Sequence, residues 1–307
     1  MTTAMMLVAL VAMAQKSVTI SPIMKVGMQK TYTIRTEATN PGSAAADITG
    51  EIDYKVTDKT SDGFQVDMNS SFKKIDASQI MQSITSADLI QLLNAMNIEM
   101  LTTKQGQIVG IKNAQELVGK CHVMIDSIVN GMMSKNTEML NNEELKTTML
   151  KSVSMMKDMI DEKLLLESFI QTPSISMLNG KTISEGMVED GVFAKFFKTK
   201  TTYTLLDGGK TIVLNTKGDV DKKSMREYLL KVMDRLLPES VLKKSNPEQL
   251  TSMIENMISN GSLQVGMNQK VTCDIGDDGW VKKLVMEMDM NMPGQSIKTR
   301  QVQTLKE

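Results

Sequence analysis

Residues 263–304 read LQVGMNQKVTCDIGDDGWVKKLVMEMDMNMPGQSIKTRQVQT. Leu263, Val265, Met267, Val271, Cys273 and Ile275 fall on alternate positions, and Asp277-Asp278-Gly279 follows as a turn signal. Leu284, Met286, Met288, Met290 and Met292 then alternate with Val285, Glu287, Asp289 and Asn291. Pro293-Gly294 turns the chain into a polar strand, 296–304. Successive side chains of a strand point to opposite faces, so the apolar set shares one face and the polar set the other. Two successive hairpins patterned this way specify an antiparallel sheet with one face to cover.

Working outward, strands are expected over 30–39, 48–57 and 64–75, and an earlier one over 18–26. Asn40-Pro41-Gly42 and Asp62-Gly63 supply turns. Leu89, Leu92, Leu93 and Met96 have helical spacing over 86–96, and a hairpin over 98–111 turns at Gln105-Gly106. Two helices fill the middle. The first, 113–132, opens with the capping pair Asn113 and Glu116 and sets Leu117, Cys121, Met124, Ile128 and Met132 on one face. The second, 141–169, opens with Asn141 and Glu144 and carries the stripe Leu145, Met149, Val153, Met156, Ile160 and Leu164. Strands return at 193–206 and 211–217 around Asp207-Gly208-Gly209, followed by helices at 222–237 and 247–259. Hairpins dominate and no repeating βαβ unit occurs, so the expected fold is α+β. It is a curved, half-barrel-like antiparallel sheet with amphipathic helices packed on one face. One domain is expected over 15–307, with a helical insert at about 113–170.

Residues 5–15, MMLVALVAMAQ, form a short apolar run ending in Ala12-Met13-Ala14, an A-x-A cleavage pattern, with Lys16 just beyond. A signal peptide over 1–14 is therefore expected, and with it an exported protein, periplasmic or secreted and soluble after cleavage. The run is about half of the roughly 20 apolar residues that span a bilayer. No Cys follows the cleavage site, so no lipid anchor is expected. Residues 1–4 lack the usual basic charge, which points to a start further upstream.

The 307-residue chain is 41% hydrophobic and 23% charged, ordinary for a globular protein, with net charge −1 and no basic cluster. Without a basic footprint, and with aromatics at 4%, no nucleic-acid partner is expected. A single His leaves little of the usual acid–base chemistry, so a non-enzyme without cofactors is expected. Two Gly-Lys-Thr triplets, at 180–182 and 209–211, lack the Gly that a phosphate-binding loop requires five residues earlier; Ile175 and Thr204 stand there, and no nucleotide is expected. Asp274 to Gly279 opens like a calcium loop but has Gly276 at its third position and Val285 at its twelfth. Cys121 and His122 are neighbours, which diverge by about 100° on a helix and cannot act as a nucleophile–base pair. In an oxidising compartment Cys121 and Cys273 can instead form a disulfide tying helix to sheet.

The stretches 108–117 (IVGIKNAQEL), 276–290 and 292–297 (MPGQSI) resemble a family of uncharacterised exported bacterial proteins in which strand-rich ends frame helical inserts. The resemblance brings no activity and no catalytic residues. A looser likeness, in layout alone, is to periplasmic lipoprotein carriers of the LolA type. It implies a curved antiparallel sheet with helices across its concave side and an apolar cavity between them.

Methionine, with 29 residues, is far above ordinary usage. Thioethers bind Cu(I), which makes copper handling one reading, with no ligand set identified. Core filling is another. The leading reading is an adaptable apolar cavity, since Met is flexible and polarizable. On that reading the protein binds an apolar ligand, a lipid or acyl chain, between sheet and helices. Met286, Met288, Met290 and Met292 on the strand and Met149 and Met156 on the helix would line the site. The opposing reading is a structural or protein-interaction module of the cell envelope with a solid Met-rich core.

Overall fold

The computed structural model describes residues 16–39, 46–76, 90–91, 93–135, 142–193, 197–236, 252, 255–256, 265–292 and 295–306. The leader expected over 1–14 lies outside them. So does the helix expected over 247–259, apart from residues 252, 255 and 256, which are helical. Of the helix expected over 86–96, residues 90, 91, 93 and 94 are helical, and 86–89 and 92 lie outside.

Eleven antiparallel strands form one open, curved sheet. Its first half is a meander of β2 (Gln29–Thr39), β3 (Ala46–Lys59), β4 (Gly63–Asp76), β5 (Asn97–Thr103) and β6 (Ile108–Ile111). Its second half is another, of β8 (Val188–Phe193), β9 (Phe197–Leu206), β10 (Thr211–Val220), β11 (Gly266–Ile275), β12 (Val281–Met292) and β13 (Gln295–Leu305). The meanders join where β13 pairs β2, with Gln303 opposite Ile34 and Gln301 opposite Thr36. The sheet edges are β6 and β8. A separate two-stranded sheet pairs β1 (Ser17–Thr19) with β7 (Thr182–Ser184).

The alternation over 263–304 acts as expected. Cys273 on β11 and Leu284 on β12 are opposite one another in register and fully buried. Tyr32, Tyr54, Tyr203, Ile212 and Val271 extend the same core face across neighbouring strands. Burial relaxes along β12: Met286 is buried, whereas Met288 and Met290 are half-buried.

Four helices, α1 (Ala114–Lys135), α2 (Glu143–Met159), α3 (Glu162–Gln171) and α4 (Lys222–Leu236), complete the described elements. α3 covers the sheet directly, with Leu165, Leu166 and Phe169 packed on the main core. The first turn of α1 adds Leu117 to that core. Further along, α1 packs on α2 through a second cluster of Ile125, Val129 and Val153. The α+β fold with helices on one face of a curved sheet is therefore the observed architecture.

Local expectations need correcting. The single helix expected over 141–169 is two, because Asp161 is extended and its carboxylate accepts the backbone N–H of Leu164 at 2.7 Å, starting a new helix. The buried face of α1 runs Ala114, Leu117, Ile125, Val129, with Cys121 half-buried between; Met124 and Ile128 sit on its flank. The strand expected over 18–26 ends at Thr19, and the chain beyond it becomes a strap held by single backbone bonds. Ile20 donates to Lys181 O, Ile23 donates to Asp278 O, and Trp280 Nε1 donates to Ile23 O at 2.9 Å. β7 and β8 were not expected at all. Both are short: β7 has three residues with Ile183 alone buried, and β8 exposes Val188 and Val192 at the sheet edge, so neither carries a run of alternation long enough to read.

Candidate functional site

A cavity of about 250 Å³ lies between the middle of the sheet and the end of α3. Its floor spans the seam of the two meanders: Ile34 on β2, Ile52 and Tyr54 on β3, Met68 on β4 and Met100 on β5. Its roof is Phe169 of α3 and the turn Thr172, Pro173 and Ser174. The local sequence makes this roof. Helix α3 stops at Gln171, Thr172 is extended (φ −74°, ψ 130°), and Pro173 cannot continue the helix, so the chain leaves the sheet surface and a gap remains.

The roof side also carries the hydroxyls of Ser168, Thr172, Ser174 and Ser176, and from the sheet two polar side chains enter the lining, Gln301 and Gln303 of β13. Gln301 accepts a long hydrogen bond from Thr36 Oγ1, 3.5 Å. Gln303 is only 3% exposed, and its Oε1 is buried with no hydrogen-bond partner among the described residues. Register explains the burial: on the core face, Gln303 stands between Leu284 of β12 and Ile34 of β2. Tyr54 packs edge-on against Tyr32, with ring centroids 5.8 Å apart, and Tyr32 donates to Val281 O at 2.8 Å. Burial holds the hydroxyls of both tyrosines protonated far above the ordinary tyrosine range.

The polar face of the sheet carries two larger open grooves, of 500 and 470 Å³, which share Arg300. Both are lined by charged side chains, some of them paired: Glu287 lies 3.8 Å from Arg300, and Glu51 pairs with Lys73. Such a charged surface stays solvated, and an apolar ligand laid on it would have to displace that water. The smaller cavity lies between the sheet and α3, with no charged side chain among its described lining residues, and is the better candidate.

The structure does not bring the expected site residues together. Met286 packs in the sheet core, where its sulfur accepts from Gln269 Nε2 at 3.5 Å. Met288 and Met290 continue along the same face, and Met292 ends β12 with a side chain outside the described residues. Met149 fills the α1–α2 seam, and Met156 is 47% exposed, off the face that α1 covers, since the neighbouring Val153 and Ile160 are the residues packed in that seam. The cavity's methionines are Met68 and Met100. They lie on strands whose apolar alternation was legible, but whose position under α3 was not.

The disulfide expected between Cys121 and Cys273 is not formed; both are free thiols. α1 leaves the sheet at the β6 edge, whereas β11 lies near the other end of the strand order, which keeps the two apart. Burial, helped by Asp274, pushes the Cys273 thiol up to about 12, and burial also raises that of Cys121. His122 Nε2–H donates to the Lys157 carbonyl at 3.1 Å, and Lys157 pairs with Asp126, so this histidine clamps α1 to α2.

Both Gly-Lys-Thr triplets sit in turns entering strands. Gly180 (φ +76°) donates to Ile20 O and leads into β7, and Lys210 pairs with Asp277 at 3.1 Å at the start of β10. The Asp274–Gly279 stretch is the β11–β12 hairpin, where Asp278 pairs with Lys30 at 2.8 Å. Among the described residues no three His, Cys, Asp or Glu side chains are placed to hold a metal ion, and no helix is long and apolar enough to cross a membrane.

No family model and no curated protein matches this chain.

Proposed function

We propose that this is an exported, non-enzymatic binding protein that takes an apolar ligand, a lipid or acyl chain, into the cavity beneath α3. One observation carries the reading: an apolar cavity of about 250 Å³ at the centre of the covered face, bounded by both layers. Drug-sized ligand sites run from about 300 Å³ upward, so this one accommodates a single chain or small ring rather than a whole two-chain lipid. Each buried methylene contributes about 0.8 kcal/mol. The ligand is therefore held by desolvation, without any bond made or broken. Export rests on the leader at 5–15.

The test is direct. The purified protein is extracted with organic solvent, the extract is analysed for bound lipid, and the stripped protein is titrated with a fluorescent apolar probe. A bound chain or saturable probe binding is expected, and Ile34→Phe, which fills the cavity floor, should weaken the binding at least tenfold while keeping a cooperative melt. An empty extract together with no saturable probe binding overturns the reading.

A further inference from the structure

We propose that the cavity selects a neutral, hydrogen-bond-donating head on a single apolar chain, such as the hydroxyl of a long-chain alcohol or a protonated fatty acid, with Gln303 as its acceptor. This rests on the reading of the cavity as a ligand site and goes beyond it by naming the ligand's polar end.

Gln303 carries an uncompensated desolvation. Its amide oxygen is buried and has no hydrogen-bond partner among the described residues, on the sheet side of a cavity whose floor is Ile34, Ile52, Tyr54, Met68 and Met100. Buried polar atoms are nearly always hydrogen-bonded, and leaving one unpaired is costly. An apolar side chain would fit this position of β13 at no such cost, since its in-register neighbours on the core face are Leu284 and Ile34. The missing partner is a donor arriving from the cavity. The charge of that donor is set by the rest of the lining. Among the described residues no Lys or Arg lines the cavity, so an ionised carboxylate or phosphate would be buried there without a counter-charge. No Asp or Glu lines it either, so an ammonium head finds no partner. A neutral O–H is the group that satisfies Gln303 at least cost, while the chain lies against Met68, Met100 and Phe169. Gln301, already engaged by Thr36, stands two residues away on the same face and can receive a second polar atom of the same head.

Three chain-matched probes, a primary alcohol, its methyl ether and the fatty acid, separate the outcomes, with affinities read by displacement of the fluorescent probe. The alcohol is expected to bind about three- to tenfold more tightly than the ether, the worth of one hydrogen bond. The fatty acid is expected to bind well below its pKa and to weaken as it ionises. Gln303→Met should erase the alcohol-over-ether preference while retaining chain binding. If alcohol and ether bind wild-type protein equally, the inference falls and the apolar-ligand reading stands. If no probe binds, both fall. The wild-type comparison decides the matter even where Gln303→Met fails to fold.

Discussion

Gly279 shows how one residue ties the strap to the sheet. Its φ is +76°, and a Cβ there would lie 2.4 Å from Ser21 O. Neither an L side chain's preferred backbone nor the space allows a substitution. Gly279→Ala should destabilise the fold by about 2 kcal/mol or more, read as a lowered urea midpoint; an unchanged midpoint would show that the strap is not held there. Cys273 is the second case. With its thiol pushed up to about 12 and its side chain in the core, it should resist alkylation in the native protein. Unfolded without reductant, the protein should take up two alkyl groups, and a species that takes up none would restore the disulfide.

At the scale of elements, caps decide where helices begin, and one cap reports on pH. Asp221 precedes α4 and accepts from the Ser224 backbone N–H at 3.3 Å and from its hydroxyl at 2.6 Å, while Lys198 pairs with it at 2.8 Å. The Lys198 and Ser224 hydrogen bonds lower its carboxyl from 3.8 to about 2. The folded value lies below the unfolded one, so the group stabilises the fold above about pH 4 and its contribution is lost as pH falls towards 2. Asp221→Asn should therefore flatten the acid limb of the stability curve between those values, measured by thermal melts across pH. An unaltered limb would dissociate this carboxylate from acid unfolding. The same capping chemistry at Asp161 divides α2 from α3, and that division lets α3 lie on the sheet while α2 packs outward on α1.

At the scale of the molecule, β13 is the keystone. It pairs with β12 on one side and β2 on the other, and among the described strands its pairing with β2 is what joins the two meanders. A chain ending at residue 294 loses that seam together with Gln301 and Gln303. It is expected to lose its single cooperative unfolding transition, read by calorimetry, and all binding of the apolar probe. Retention of one sharp transition would mean that the halves cohere through the helices instead. The pairing of β13 with β2 brings together residues some 265 positions apart, such as Gln301 and Thr36, so assembly of the seam is expected to be slow compared with that of the local hairpins.

The alternation of Leu284, Met286, Met288 and Met290, the turn residues between strands and the capping pairs are local signals, and they were enough to specify an α+β protein with an antiparallel sheet covered on one face. They act through the two-residue period of a strand and the hydrogen bonds of a helix end, which depend on near neighbours alone. The cavity was not legible in this way. The 296–304 segment looks like a polar strand, and its place at the centre of the sheet follows only from pairing with β2, far away in the chain. That pairing buries Gln303 between Leu284 and Ile34, and the break at Asp161 together with Pro173 sets a roof above it that stops short. Met149 and Met156 had the right spacing for a lining stripe, but spacing fixes a face of a helix and not its partner, and the partner proved to be α1. Sequence by itself determined which residues need covering; tertiary structure decided what covers them, because contacts between distant elements depend on how the meanders join.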